Sequence, residues 1–334
     1  MTPTIVFDTY WRFAAERLAM FYRRLAEPFE PCTTDPVLRS YRFTNTYRAT
    51  DRVSQYLIAQ VQTRPDRPQA PREVFFRTML FKIFNRIETW EALERRLGPI
   101  TWAHLDPEAL DRGLEELRRR GQSIYSAAYI MPSPAYGHSR KHSNHIALLL
   151  QMMEDRVPEQ ACQAPSLQAV YELILKYPGI GKFLAFQYSI DLNYASMLDF
   201  SEADFVVAGP GALDGISKCF TDTAGKTPEQ IIFWMAEQQD AQFKRLGLRF
   251  SGLYGRPLQP IDCQNVFCEI SKYARVAHPE IGGVANRTRI KQIYRQHLLP
   301  PPTPQFPARW ELHVPYPPTA RKSAFSAPVQ PSLF

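Results

Sequence analysis

Apolar residues recur at helical spacing through most of this chain, and no stretch alternates apolar and polar residues as a half-buried strand would. In residues 11–25, for example, Ala14, Leu18, Phe21 and Leu25 fall on one face of a helix. Arginines occupy the opposite face of the same helix. A chain with this pattern must bury helix against helix, so we expect an all-α fold.

Helix-capping residues and the same spacing predict the remaining elements. Asp106, Ser166 and Thr227 are the expected N-caps. The predicted helices cover residues 51–62, a segment opened by Pro71, and residues 108–120, 145–155, 167–176, 183–190, 212–220, 228–246, 262–275 and 287–298. We place a boundary near residue 160, which gives a helical subdomain (1–160) and a second subdomain (161–299). Ten of the 29 prolines lie in residues 300–334, which predicts an extended tail.

A Pro-Gly-x-Gly turn, residues 177–182, separates two apolar helices and is typical of a helix-hairpin-helix. Gly179 and Gly181 permit a positive φ and a close approach of the backbone. The unpaired N–H groups at the start of the second helix favour a phosphate, and Lys182 adds a positive charge. We therefore predict that Pro178, Gly179, Gly181 and Lys182 contact a nucleic-acid backbone. The alternative is an ordinary turn between helices.

A second loop, Gly209-Pro210-Gly211, precedes another predicted helix and could form a similar anion site. A rigid helix cap is an equally good interpretation. The densest polar stretch begins at Asp262 and carries Gln264, Asn265, Glu269 and Lys272. Amides among apolar residues suit the hydrogen-bonding edge of a base, whereas a solvated helix with a Glu269–Lys272 ion pair and Asp262 as N-cap is the alternative.

Charge and composition restrict the partners. The net charge of +7 and the pI of about 9.1 fit a polyanion such as DNA. The five cysteines form no C-x-x-C pair, and the histidines at 138, 142 and 145 lack a carboxylate at ligand spacing, so we expect no disulfide, metal or cofactor. Without a signal peptide or a membrane-spanning segment, the protein is expected to be cytoplasmic and monomeric.

Five stretches resemble a known family: residues 42–48 (RFTNTYR), 84–90 (FNRIETW), 190–194 (IDLNY), 209–212 (GPGA) and 261–265 (IDCQN). The chain is similar to the all-helical family of α-glutamyl/putrescinyl thymine pyrophosphorylases and of the helical domain fused to 5-hydroxymethyluracil DNA kinases. The resemblance implies a two-lobed fold related to helix-hairpin-helix DNA glycosylases. It also implies double-stranded DNA carrying modified pyrimidines as the partner.

From this resemblance we expect a monofunctional DNA glycosylase. It would excise a 5-hydroxymethyl-derived pyrimidine, with or without a sugar, and the abasic sites would defend against phage. The position that usually carries the catalytic aspartate aligns with Ala208 or Gly209. The carboxylate role therefore moves to Asp262, with Asp214 and Asp204 as the other candidates. Alternatives are a base-hypermodifying transferase and a noncatalytic DNA-binding module.

The remaining predicted site residues fall into two groups. Asn45, Asn85, Gln264, Asn265 and Glu269 are expected to contact the base. Gly209, Gly211 and Lys272 are expected to join the hairpin turn in binding phosphates. Asp191 and Asn193 could face the same cleft, although this stretch also fits simple helix termination.

Overall fold

The computed structural model describes residues 1–295 and 300–315. Two short strands, β1 (Thr2–Pro3) and β2 (Phe220–Asp222), pair antiparallel. The α-helices are α1 (Ile5–Ala26), α2 (Pro36–Ser40), α3 (Arg52–Tyr56), α4 (Pro71–Phe84), α5 (Ile87–Leu97), α6 (Pro107–Arg119), α7 (Lys141–Glu154), α8 (Val157–Cys162), α9 (Leu167–Leu175), α10 (Lys182–Asn193), α11 (Pro210–Cys219), α12 (Pro228–Arg245) and α13 (Pro260–Ala277). A π-helix (Leu57–Gln62) continues α3, and 3-10 turns cover Arg48–Thr50 and Ala308–Trp310.

The predicted all-α fold is confirmed, and so are the three predicted N-caps, because Asp106, Ser166 and Thr227 each accept a hydrogen bond from the third residue of their helix. One predicted helix is wrong. Residues 287–295 contain no helix and instead bridge to Tyr41 through Ile293, while residues 296–299 lie outside the described ranges. Sequence periodicity also missed α2, α5 and α8.

The chain divides into two compact units that are interleaved along the sequence. Among the described residues, unit 1 contains residues 1–51, 202–295, 300–304 and 311–315. Unit 2 contains residues 52–201 and 305–310. Residue 160, near which the boundary was expected, lies within α8, and α8 belongs to unit 2.

Unit 1 is built around α13, which packs against α1, α11 and α12. Aromatic rings fill the core, and Tyr10 lies 4.7 Å from Phe267 between ring centroids. Helix α11 approaches α13 so closely that a Cβ atom on Gly215 would lie 2.1 Å from the Phe267 carbonyl oxygen. Glycine at position 215 therefore allows α11 to pack directly against the backbone of α13.

Unit 2 surrounds α4, in which every residue from Glu73 to Phe84 is buried. Beside it, Gln62 at the end of the π-helix donates a hydrogen bond to the Asp191 carbonyl in α10, at 2.8 Å. The proline-rich tail was expected to be extended, yet part of it packs in this unit. The Trp310 ring contacts Tyr194. The Gln55 side-chain amide donates to the Gln305 carbonyl and accepts from the Gln305 N–H. Residues 316–334 lie outside the described ranges.

Candidate functional site

The Pro-Gly-x-Gly turn joins α9 to α10 within unit 2. Gly179 has a φ of +80°, a conformation that favours glycine. Gly181 is the N-cap of α10 and has no side-chain cap, so the first-turn N–H groups are available to a ligand. A Cβ atom on Gly181 would meet nothing within 4 Å, and Lys182 is exposed. The geometry of the turn therefore leaves room for an anion, and its predicted phosphate contacts stay predictions.

The Gly209–Gly211 loop has different surroundings in unit 1. Gly209 caps α11, but the neighbouring Ala208 N–H donates to the Glu229 carboxylate at 3.0 Å. A Cβ atom on Gly211 would lie 3.0 Å from the Cys268 sulfur, so this glycine provides space for helix packing. A carboxylate beside the loop repels an anion, which makes this loop a weaker candidate for phosphate binding than the hairpin turn.

The predicted amides of unit 1 come together where residues 43–51 lie along α13. Asn265 donates from Nδ2 to the Asn45 carbonyl at 2.8 Å and accepts from the Thr44 hydroxyl at 3.3 Å. The Glu269 carboxylate accepts the Thr44 N–H at 3.0 Å, and Arg17 donates to the Asn45 side-chain oxygen at 2.8 Å. These side chains therefore attach a loop to a helix, and their hydrogen bonds go to the protein itself.

Two other predicted residues on α13 also have internal partners. Gln264, 2% exposed, donates to the Cys268 sulfur. The Lys272 ammonium lies 2.6 Å from the Glu269 carboxylate, so the i,i+3 ion pair weighed as an alternative is present. Asp204 is exposed.

Asp262 completes a capping box at the start of α13. Gln259 is the N-cap residue, and its N–H donates to Asp262 Oδ2 at 3.0 Å. The Arg48 N–H donates to Oδ1 at 3.2 Å. Burial raises the pKa of Asp262 to about 7, with the Glu202 carboxylate adding to the rise and Arg256 and the two N–H groups opposing it. The carboxyl group is thus a buried cap that titrates near neutrality.

Asp214 is an anchor rather than an exposed carboxylate. It accepts hydrogen bonds from the Ser271 hydroxyl and, at 2.7 Å, from the Ala285 N–H, and it lies 3.4 Å from the Lys218 ammonium. Burial alone would raise its pKa, but these donors outweigh burial and lower it. Asp214 therefore ties the chain after α13 to α11.

Asn85 belongs to unit 2, where it joins a second polar cluster. Its αL backbone, with φ 49°, ends α4, and its side-chain oxygen accepts from the Lys82 ammonium at 2.7 Å. Lys82 also lies 3.2 Å from the Asp191 carboxylate and 4.9 Å from the centre of the Tyr129 ring. Lys82, Asn85 and Asp191 are 2%, 4% and 0% exposed. This is a buried ion pair with an aromatic ring over its cation.

The resembling stretches thus pair within each unit. Residues 42–48 contact residues 261–265 in unit 1, and residues 84–90 contact residues 190–194 through Lys82 in unit 2. Sequence reasoning missed Lys82, although a lysine inside the apolar run Phe81-Lys82-Ile83-Phe84 was a usable signal. Asn193 proves to be a helix-ending residue, because its side chain makes two hydrogen bonds to the Phe200 backbone.

Comparison with known proteins establishes the class. Residues 4–283 match the family model described as 5-hmdU DNA kinase, helical domain, so the chain belongs to this family. The resemblance inferred from the short stretches is confirmed at this level. A curated relative, the 5-hmdU DNA kinase of Bacillus phage SP10, is 26% identical over 292 residues, which cover 81% of this chain and 45% of the relative. The chain thus spans about half the length of the curated relative it matches. No solved structure matches the chain.

These findings correct the functional expectation. The family is described as a domain of a DNA kinase, and the relative is named a DNA kinase. Kinases transfer a group, so the prediction of a hydrolytic DNA glycosylase with an antiviral role is wrong. The transferase alternative is closer. The roles of Asp262, Asp214 and Asp204 in base excision fall with that prediction, which is consistent with the structural hydrogen bonds of the first two.

The expected relation to helix-hairpin-helix glycosylases, the cytoplasmic location and the monomeric state stay predictions. Within residues 1–295 and 300–315, no helix combines the length and the apolar character needed to cross a bilayer. The same residues hold no group of three or more potential metal-binding side chains of His, Cys, Asp or Glu.

Proposed function

We propose that this chain is a transferase domain that binds DNA and modifies 5-hydroxymethyl-type pyrimidines in it. The observation that carries the proposal is the family match over residues 4–283, together with a relative named for kinase activity on 5-hmdU in DNA. The basic net charge of +7 agrees with a DNA partner.

The position of the modified group favours group transfer over base removal. The C5 substituent of a pyrimidine lies in the major groove, where an α-helix fits. A hydroxymethyl oxygen there can be reached without breaking the glycosidic bond and without extruding the base. The reaction forms one bond at this oxygen, releases its proton, and breaks the bond between the transferred group and its donor.

The hairpin turn is the proposed phosphate contact. Its uncapped helix start, the open space at Gly181 and the exposed Lys182 together favour an anionic oxygen. Contacts of this kind position a protein on DNA without reading sequence, so the specificity for a modified base must come from other residues.

Asn85 is the predicted base contact that we place first, because it shares a buried cluster with a lysine and an aspartate. Asp191 in this cluster lies on the helix that begins at the hairpin turn. Asn45, Gln264, Asn265 and Glu269 remain second candidates, because none of them adjoins an ion pair as deeply buried as that of Lys82 and Asp191.

A noncatalytic DNA-binding module is the second candidate function. It is favoured by the matched family, which is described as the helical domain of a 5-hmdU DNA kinase rather than as the whole kinase. The two functions separate in one experiment. Duplexes with thymine or 5-hydroxymethyluracil at a single position are incubated with the protein and a nucleoside triphosphate, then digested to nucleosides for mass spectrometry.

A phosphoryl gain confined to the hydroxymethyl duplex would support the transferase. Binding of both duplexes without a mass change would support the module. Failure to bind either duplex at low salt would contradict both proposals, because each requires DNA as the partner.

Replacing Lys182 by glutamate tests the hairpin. We expect weaker binding to all sequences and a slope of log affinity against log salt that is reduced by about 0.9, the value for one lost phosphate contact. Lys226→Glu, an exposed lysine in unit 1, is the control with the same change of charge. Equal effects of the two substitutions would mean that net charge, and not the hairpin, sets the affinity.

A further inference from the structure

Residues 286–295 of unit 1 carry an unusual concentration of positive charge. Arg287, Arg289, Lys291 and Arg295 are all exposed, and they occupy alternate positions apart from Ile293, which is 60% exposed. None of the four forms an ion pair with any residue in the described ranges. The residues outside those ranges contain no Asp or Glu. We call residues 286–295 the basic segment.

Hydrogen bonds to its backbone groups hold the basic segment in place. Its charged side chains take no part in these bonds. Immediately before the segment, the Val284 N–H donates to the Ser217 hydroxyl and the Ala285 N–H donates to the Asp214 carboxylate. In the middle, the Arg275 guanidinium donates to the Arg289 carbonyl at 3.1 Å.

Its end pairs with the chain after α2. The Arg42 N–H donates to the Gln292 carbonyl at 2.9 Å, and the Tyr294 N–H donates to the Ser40 carbonyl at 3.1 Å. Arg42 is itself exposed and adds a fifth guanidinium or ammonium group to the same surface. A fixed backbone lowers the entropy that these side chains would lose on binding a partner.

The exposed arginines of α6 provide a comparison, because they form ion pairs with glutamates of the same helix. On α6, Arg118 and Arg119 both contact the Glu115 carboxylate, at 2.7 and 3.2 Å, and Arg112 contacts Glu108. The Arg118 hydrogen bond, with further arginines nearby, lowers the pKa of Glu115 to about 2. The α6 arginines therefore have acidic ion-pair partners, whereas the four cations of the basic segment have none among the described residues.

We propose that the basic segment is a binding surface for the phosphate backbone of duplex DNA. The inference rests on the proposed DNA-binding function and assigns part of it to a region that no recognised motif covers. Lysine and arginine side chains that neutralise phosphates release condensed counterions, so their contribution depends steeply on salt. The binding is independent of sequence, because the contacts are to phosphates.

The test compares two triple variants that remove the same charge. R287Q/R289Q/K291Q changes the basic segment, and R112Q/R118Q/R119Q changes the paired arginines of α6. Each is titrated with a fluorescent DNA duplex by anisotropy between 50 and 200 mM salt, and thermal unfolding verifies that each is folded. Three lost phosphate contacts should lower the salt slope by about 2.7, so that the wild-type protein loses about fortyfold more affinity over this range than the variant does.

The outcomes are separable. Wild-type binding with a reduced slope only in the basic-segment variant supports the inference. Equal slopes in both variants, whether reduced or unchanged, overturn it while leaving DNA binding intact. Absence of wild-type binding at 50 mM salt would instead remove the proposed function on which the inference rests.

Discussion

Each unit contains a buried polar cluster with an asparagine and a carboxylate, but the two clusters differ in the groups that these side chains contact. In unit 1, Asn265 and Glu269 hydrogen-bond to the backbone of residues 45 and 44. These side chains take the place of the water molecules that would otherwise hydrogen-bond to the loop backbone. In unit 2, Lys82 and Asp191 bury opposite charges beside each other, and Asn85 completes the ammonium's contacts.

The difference lies in what remains when one member is removed. A truncated amide leaves backbone groups without a partner, whereas a neutralised carboxylate leaves an unpaired charge in the interior. A buried ion pair is weak evidence for stabilisation, because apolar residues of similar size often stabilise a fold equally well. Stability alone therefore does not account for the ion pair in unit 2, whereas the amide network of unit 1 attaches a loop to a helix.

Asp191→Asn should have the largest effect on stability. The substitution leaves the Lys82 ammonium buried without its carboxylate, and breaking such a pair typically costs about 3–5 kcal/mol. Urea unfolding monitored by circular dichroism measures the change. The double variant K82M/D191N should recover much of the loss, since it removes the unpaired charge.

The control for this prediction is Glu108→Gln on α6, which neutralises one carboxylate of an exposed i,i+4 pair with Arg112. Exposed pairs of this kind contribute about 0–1 kcal/mol. If Asp191→Asn lowers the free energy of unfolding by no more than the control does, removing the carboxylate does not leave a costly unpaired charge in unit 2. If the double variant is the least stable of all, the ion pair itself stabilises unit 2.

Asn265→Ala should have an intermediate effect. It leaves the Asn45 carbonyl and the Thr44 hydroxyl without this partner in a largely buried setting, for which about 1–3 kcal/mol is typical. Gln168→Ala, an exposed amide on α9 bonded to Glu172, should stay within about 0.5 kcal/mol. DNA affinity should be unchanged in Asn265→Ala if the network is structural. A selective loss of affinity in a stable variant would restore Asn265 as a base contact.

The helical architecture could be predicted because local physics determines it. Asp106, Ser166 and Thr227 act as caps where their sequence context indicated, and apolar spacing located the long helices. The basic segment was wrongly predicted as a helix because its conformation depends on partners far away in sequence. Its hydrogen bonds are with Ser40, Arg42 and Arg275, and no local sequence pattern indicates such contacts.

The candidate sites show the same limit. The sequence identified polar residues of unusual density on α13, but it could not show that their hydrogen bonds are used internally. Pairing of Lys82 with Asp191 joins residues 109 positions apart on two helices, and only the packing of α4 against α10 brings them together. The hairpin turn, which is local, has the helix start without a side-chain cap that its sequence indicated, and its phosphate contacts stay predictions.

Asp262→Asn should have the smallest effect at neutral pH and the clearest dependence on pH. The pKa of about 7 in the folded state lies above the value of about 3.9 expected for an unfolded aspartate. Between these values the folded state binds more protons, so this group's contribution to stability is complete below pH 4 and is lost as the pH rises to about 7. An asparagine at position 262 does not titrate, so this loss of stability is absent from the variant. Its NH₂ group, however, cannot accept a hydrogen bond, so either the Gln259 or the Arg48 N–H loses its acceptor.

The removed titration stabilises the variant near neutral pH and the lost hydrogen bond destabilises it. We therefore expect its free energy of unfolding to differ from that of the wild type by no more than about 1 kcal/mol at pH 7. Two other buried groups also make stability depend on pH, in the wild type and in the variant alike. Burial lowers the pKa of His145 to about 4, so its contribution to stability increases as the pH rises. Burial raises the pKa of Asp51 to about 7, so its contribution decreases with rising pH, as that of Asp262 does. Subtracting the wild-type unfolding free energy from that of the variant removes both contributions. The difference should move in favour of Asp262→Asn as the pH rises from 4 to 7, and a constant difference would show that Asp262 is an ordinary ionised cap, so that unit 1 also stabilises a buried charge.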